Sequence, residues 1–151
     1  MKQFFQRVDS ILVRATAEQA YQFLTNWHYR KQWDEAWALD WNGADQAFTG
    51  QQICFKGFKF FIPVQWTIKI TGLEKPTRIY FEYIDGPLRG SAAMECVQAS
   101  EFQCEIKFHW TKVRPYGWIN RIIFNLGIGE WLHLGGVQKT FKKFKCFLEK
   151  A

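Results

Sequence analysis

Apolar and polar residues alternate most cleanly between Pro63 and Leu73, where Val64, Trp66, Ile68 and Ile70 are set against Gln65, Thr67, Lys69 and Thr71. A period of two gives a strand with one buried and one wet face. The same period recurs from Arg78 to Ile84, with Ile79, Phe81 and Tyr83 opposite Tyr80, Glu82 and Ile84. It recurs again from Cys104 to Val113, where Ile106, Phe108 and Trp110 face in and Glu105, Lys107, His109 and Thr111 face out. Leu88 to Ala99 supplies a strand between these two. The joints are Glu74–Thr77, Asp85-Gly86-Pro87 and Ala99–Gln103, short enough for successive hairpins and therefore for an antiparallel meander. Upstream, Phe4–Arg14, Ala36–Trp41 and Gln51–Phe61 read as further strands, the last made irregular by Gly57. Asn42-Gly43 reads as a turn, and residues 45–50 as a loop.

Two stretches carry the helical period instead. After the first strand, Thr16 is an N-cap with Gln19 three residues on, and Ala20, Phe23 and Leu24 form an apolar stripe that ends at Asn26. A second short helix or turn follows over Tyr29–Trp33, and Trp27, Trp33, Trp37 and Trp41 are placed to pack this helix pair under the sheet's edge or to close one end of a cavity. Near the C-terminus, Leu134, Val137, Phe141, Phe144 and Leu148 recur at spacings of three and four, with Lys139, Lys142, Lys143 and Lys145 mostly around the other side. The predicted order is strand, two short helices, about six strands, then one long helix from about Tyr116 to Glu149 with a glycine-broken lead-in. A sheet with one dry face needs a cover, and the final helix is the only element long enough.

A chain of 151 residues with 48% hydrophobic content is expected to form one domain, residues 1–151, around one core. Fifteen Phe and eight Trp exceed the ordinary needs of such a core, which fits a ring-lined cavity, an apolar contact surface or simply a ring-rich interior. The net charge of +6 comes from the last third, since residues 112–151 hold eight basic and two acidic residues while residues 1–111 balance. That excess suits either the solvated face of a helix or an anionic partner such as a membrane surface. The basic residues lie on a helix with no nucleic-acid-binding motif beside them, so nucleic acid is not expected. Four scattered cysteines without a CxxC pair, and no apolar leader, point to reduced thiols and a cytoplasmic protein.

The opening strand running into ILVRATAEQAYQFLTNW, the IYFEYIDGPLRG hairpin and the FHWTKVRP strand resemble the SRPBCC superfamily, the START or Bet v 1-like helix-grip proteins. Within it the chain looks most like polyketide cyclase/dehydrase-type members, and the likeness covers essentially the whole chain. The resemblance implies an α+β fold: a curved antiparallel sheet of about seven strands gripping the C-terminal helix, with an elongated apolar cavity between them. It implies ligands such as lipids, sterols, polyketides or plant hormones, and in some members cyclisation or dehydration. The superfamily has no shared catalytic motif, so no catalytic residue is carried over.

Cofactor and metal motifs are absent from the sequence. Gly127-Ile-Gly129 is no dinucleotide fingerprint, and His28, His109 and His133 lack metal-ligand spacing. One acid/base pair remains, Glu130 and His133 at i and i+3, where a carboxylate can orient an imidazole for proton transfer. Arg78, Glu82, Glu95 and Arg114 are either cavity groups that orient a ligand or cross-strand surface pairs. The expected partner is a hydrophobic small molecule. Trp66, Ile68, Phe81, Tyr83, Met94, Phe108 and Trp110 would form the sheet wall, and Leu134, Val137 and Phe141 the helix wall. The alternatives are a cyclase/dehydrase using Glu130 and His133, and a lipid or quinone chaperone touching anionic membranes through its basic helix. The stripe Trp118, Ile122, Ile123 and Leu126, with Arg114 and Arg121 close by, reads as a gate, a membrane contact or a close-packed lead-in.

Overall fold

The computed structural model describes residues 5–59, 61–126 and 128–150, and the side chains of all of these except Phe5, Phe124 and 128–135. The first strand, β1 (Phe5–Val13), leads into α1 (Ala17–Thr25) and α2 (Trp27–Trp33). Thr16 starts α1 with the expected reciprocal cap, its Oγ1 accepting from the Gln19 amide at 3.2 Å while the Gln19 side chain accepts from the Thr16 amide at 3.1 Å. Asn26 both ends α1 and caps α2.

Six strands follow: β2 (Trp37–Trp41), β3 (Gln52–Lys59), β4 (Ile62–Glu74), β5 (Arg78–Asp85), β6 (Leu88–Ser100) and β7 (Gln103–Pro115). With β1 they form one antiparallel seven-stranded sheet in the order β1-β7-β6-β5-β4-β3-β2. Two glycines are required by what lies against them. A side chain at Gly57 would meet the Trp37 ring at 2.5 Å, and one at Gly90, where φ is +124°, would meet the Lys112 carbonyl oxygen at 1.7 Å.

Leu88 pairs with Pro115, Thr67 with Asp85, and Lys59 with Ile62. The C-terminus of β7, the β5–β6 turn and the β3–β4 tip therefore share one end of the sheet. The β4–β5 and β6–β7 turns and the start of α1 share the other.

The expected single long helix is two. α3 (Trp118–Asn125) precedes α4 (Ile128–Lys150). Gly129, Gly135 and Gly136 do not interrupt the helical backbone, because a glycine in a helix interior costs only about 1 kcal/mol against alanine and a long helix bears it. The Phe141, Phe144 and Leu148 side chains of α4 are buried, whereas Lys139, Lys142 and Lys143 are exposed. The far end of α4 is tied to the β1–α1 corner, where Glu149 Oε1 accepts from the Arg14 amide at 3.0 Å. That hydrogen bond first of all holds the Glu149 carboxyl below its ordinary range. Among the described residues no helix is long and apolar enough to cross a membrane.

Candidate functional site: the concave face and its rim

The concave face follows from the alternation of each strand. Residues that carry buried side chains toward α4 include Ile53 and Phe55 on β3, Ile68 and Ile70 on β4, and Ile79, Phe81 and Tyr83 on β5. Met94 and Cys96 on β6, and Cys104, Ile106 and Trp110 on β7, continue it. Every sheet residue expected to line a cavity is on this face. Phe81 and Phe108 meet at 5.7 Å between ring centres, Phe108 and Trp110 at 5.5 Å, and Trp66 stacks on Phe55 at 5.0 Å with planes 7° apart. Phe141 and Val137 come from α4. Trp66, Phe108 and Val137 stay only half-buried despite packing against the core. The side chains of Leu134, Glu130 and His133 lie outside the described residues.

Polar groups enter this apolar face at places the sequence reading missed. On α2, Arg30 shares a face with Trp27 and Trp33; its Cζ lies 4.8 Å from the Trp33 ring centre and 5.2 Å from that of Phe55. Its Nε donates to Asp34 Oδ2 at 3.1 Å, and Nη2 lies 3.1 Å from the same oxygen. The other Asp34 oxygen is buried and has no hydrogen-bond partner among the described residues. Tyr83 reaches the same region from β5. Burial pushes its phenol well above the ordinary range, and the nearby Arg30 guanidinium offsets only part of this.

A second ion pair sits on β1. Asp9 is buried opposite Phe108, and Arg7 Nε reaches both of its oxygens at 3.0 Å. At the β3–β4 tip, Lys59 continues the inward row of Ile53 and Phe55 toward Gly136 of α4. Burial, and then Lys139, lower the Lys59 pKa. Both ion pairs were visible in principle. Arg30 lies three residues from each of two buried tryptophans, and Asp9 is in register with Ile11 and Val13.

Arg78, Glu95 and His109 belong to the opposite, convex face. Arg78 and Glu95 face each other across β5 and β6 and are hydrogen-bonded, while His109 Nε2 lies 3.3 Å from Glu95 Oε1. Burial alone would raise the Glu95 carboxyl, but the Arg78 and His109 hydrogen bonds outweigh it and hold it below the ordinary range. Glu82 and Arg114 are exposed. This is cross-strand surface pairing, and none of the four reaches the concave face. Of the tryptophans after α1, Trp27 and Trp33 are core residues, while the Trp37 ring meets Trp66 at 4.1 Å and so joins the concave wall.

No protein-family model and no curated protein sequence matches the chain. Solved structures do match over nearly its whole length. A protein of Thermus thermophilus superposes with a TM-score of 0.77 at 12% identity, covering 95% of this chain and 97% of the other. The fold is the Bet v 1-like helix grip. Norcoclaurine synthase of Thalictrum flavum, solved with dopamine and hydroxybenzaldehyde, gives 0.73 at 10% identity over 98% of this chain and 89% of its own. The Zhui aromatase/cyclase of Streptomyces sp. R1128 gives 0.71 at 9% identity over 93% of each chain. Helix-grip architecture explains why α4 lies across the concave face rather than beside the sheet. At such identities the likeness concerns the fold.

Proposed function

We propose that the protein binds a hydrophobic small molecule, of lipid, polyketide or isoprenoid-like character, between the concave face and α4. The observation that carries this reading is the incomplete covering of Trp66, Phe108 and Val137. These residues sit among buried rings on the inner face, where a filled core would close over them. The ligand is amphipathic. Its apolar body rests on the ring wall, and a carboxylate or carbonyl oxygen at one end takes hydrogen bonds from Arg30 and Tyr83, the donors that the α2 side of the wall presents.

The test is a titration of the delipidated protein with two fluorescent probes, a fatty acid and the matching hydrocarbon-tailed ester lacking the free carboxylate. Both are expected to bind with a stoichiometry of one. Tyr83→Phe, which removes only a hydroxyl, weakens the fatty acid by roughly tenfold, the equivalent of one hydrogen bond, and leaves the ester nearly unchanged. Absence of binding for both probes would overturn the reading, and equal effects of Tyr83→Phe on both would remove the head-group assignment.

A second reading is a cyclase/dehydrase-type enzyme. It is favoured by the placement of Glu130 and His133 near the start of α4, one helical turn apart. Two of the structural neighbours also carry names denoting synthase and aromatase/cyclase activities. His133→Ala is then expected to reduce turnover of an identified substrate by at least about a hundredfold, the usual contribution of a general acid or base. Unchanged turnover would sink the acid/base pair and leave the binding reading standing.

A further inference from the structure

We infer that α3 and the β3–β4 tip form a docking surface for an anionic lipid bilayer, at the end of the sheet that holds the C-terminus of β7 and the β5–β6 turn. The sequence offered two elements for such a role, the lysine face of α4 and the stripe that begins at Trp118, and the exposure of the stripe favours the second.

On α3, Trp118 is 72% exposed, Ile119 56%, Ile122 50% and Leu126 68%. At one residue per 100° these four fall within an arc of about 100°, so they make one outward apolar stripe. Leu126 belongs to it because its amide still donates to the Ile122 carbonyl at 3.1 Å. At the β3–β4 tip, Phe61 is 99% exposed and Ile62 64%. Antiparallel pairing brings both groups to the same end of the sheet, with α3 following β7 and the tip joining β3 to β4. Lys59 beside Gly136 places the tip against α4, and α3 packs on the start of the same helix. The tip thus lies beside Gly136, and α3 leads into the start of the same helix at Ile128. Large apolar side chains left exposed together at one end of a soluble protein mark a contact site for a partner.

Charge selects the partner. No Asp or Glu occurs from Ile106 to Gly129, a stretch that holds Lys107, Lys112, Arg114 and Arg121. Lys112, Arg114 and Arg121 are exposed. Among the described side chains, the acids at this end are Asp85, which lies 3.7 Å from Arg89, the buried Asp34, and Glu35 at the approach to β2; Glu130 follows in the first turn of α4. The opposite end carries Glu18, Glu74 and Glu101, all exposed. A Trp-bearing apolar stripe edged by basic residues matches an anionic headgroup layer over acyl chains. Against a second copy of this chain, the same edge would set like charges against each other. Docking as such is independent of the ligand. Its use, loading an apolar ligand directly from the bilayer, rests on the reading proposed above.

The test is vesicle flotation of the delipidated protein, with phosphatidylcholine alone and with added phosphatidylglycerol. The wild type is expected to float with the anionic vesicles and to be released by salt. Trp118→Gln combined with Ile122→Gln weakens flotation at least about tenfold, since it withdraws two large side chains from the acyl region. Arg114→Gln with Arg121→Gln shifts the midpoint to lower salt. These side chains are exposed, and unchanged circular dichroism will show that the variants fold. No flotation of the wild type, flotation of the Trp118/Ile122 variant equal to wild type, or loss of flotation only on replacing Lys139, Lys142 and Lys143 would each overturn the proposal. So would sedimentation showing that the Trp118/Ile122 variant turns a dimer into a monomer. Probe binding by the same protein stands or falls separately, so failure at the vesicle does not pass for failure of the cleft.

Discussion

Replacing Phe144 by alanine is expected to destabilise the protein by about 3–5 kcal/mol, the usual cost of truncating a buried phenylalanine. Phe144 is 1% exposed, and its ring lies 5.1 Å from that of Trp33. It thus joins α4 to α2, the two elements that bound the concave face on the side away from the strands. Much of the lost energy is the cavity left behind, because Trp33 sits on a short helix fixed by its own capping and cannot follow the missing ring. In a chain of this size each kcal/mol moves the melting temperature by roughly 2–4 °C, so a fall of about 6–20 °C should be seen by calorimetry. Lys142→Ala, on the exposed side of the same helix, is the comparison and should lie within about 0.5 kcal/mol of wild type. Equal melting temperatures for the two variants would mean that α4 is not held through this contact.

Gln51→Leu is expected to cost about 3 kcal/mol even though the side chain keeps its size. Gln51 is fully buried with both of its polar atoms satisfied: Oε1 accepts from Trp27 Nε1 at 2.7 Å, and Nε2 donates to the carbonyls of Asn42 at 2.9 Å and Ala44 at 2.7 Å. Leucine strands a buried indole N–H outright. The two carbonyls belong to exposed residues and can turn to water, which keeps the total from being larger. The same loop is sewn to α1 by the Ala47 amide donating to the Thr25 carbonyl at 2.7 Å. Hydrogen exchange should therefore accelerate across residues 42–47 in the variant, along with the shift of the urea midpoint. A variant with an unchanged midpoint would show that this buried network contributes nothing net.

The architecture was legible because its determinants are local and repetitive. Val64 to Thr71 and Cys104 to Thr111 announce strands with a dry face, Thr16 and Gln19 announce a helix start, and Phe141, Phe144 and Leu148 announce the buried stripe of α4. The lead-in from Trp118 to Leu126 was legible as a stretch set off by glycines, but the continuity of α4 was not. A sequence counts glycines but does not say which ones a packed helix will tolerate, so Gly129, Gly135 and Gly136 read as breaks that the helical backbone does not have. Polar residues of the concave face were missed for another reason. Asp9 and Arg30 are ordinary surface residues by type, and their burial depends on the register of β1 with β7 and on α2 lying over β3. Gln51 reads as the start of a strand until the three partners that converge on it in space are known. The exposed stripe of α3 was visible as a stripe, but a stripe does not tell which side of it faces the protein.

The most direct test of the account is native mass spectrometry of the protein as purified. If the concave face holds an amphipathic apolar ligand under α4, the spectrum will show a bound species on the order of a few hundred daltons, as suits a pocket of this kind. Organic extraction will remove it, and Tyr83→Phe will reduce its occupancy. A spectrum showing only the bare chain, before extraction and after re-exposure to a cell lipid extract, would contradict the account.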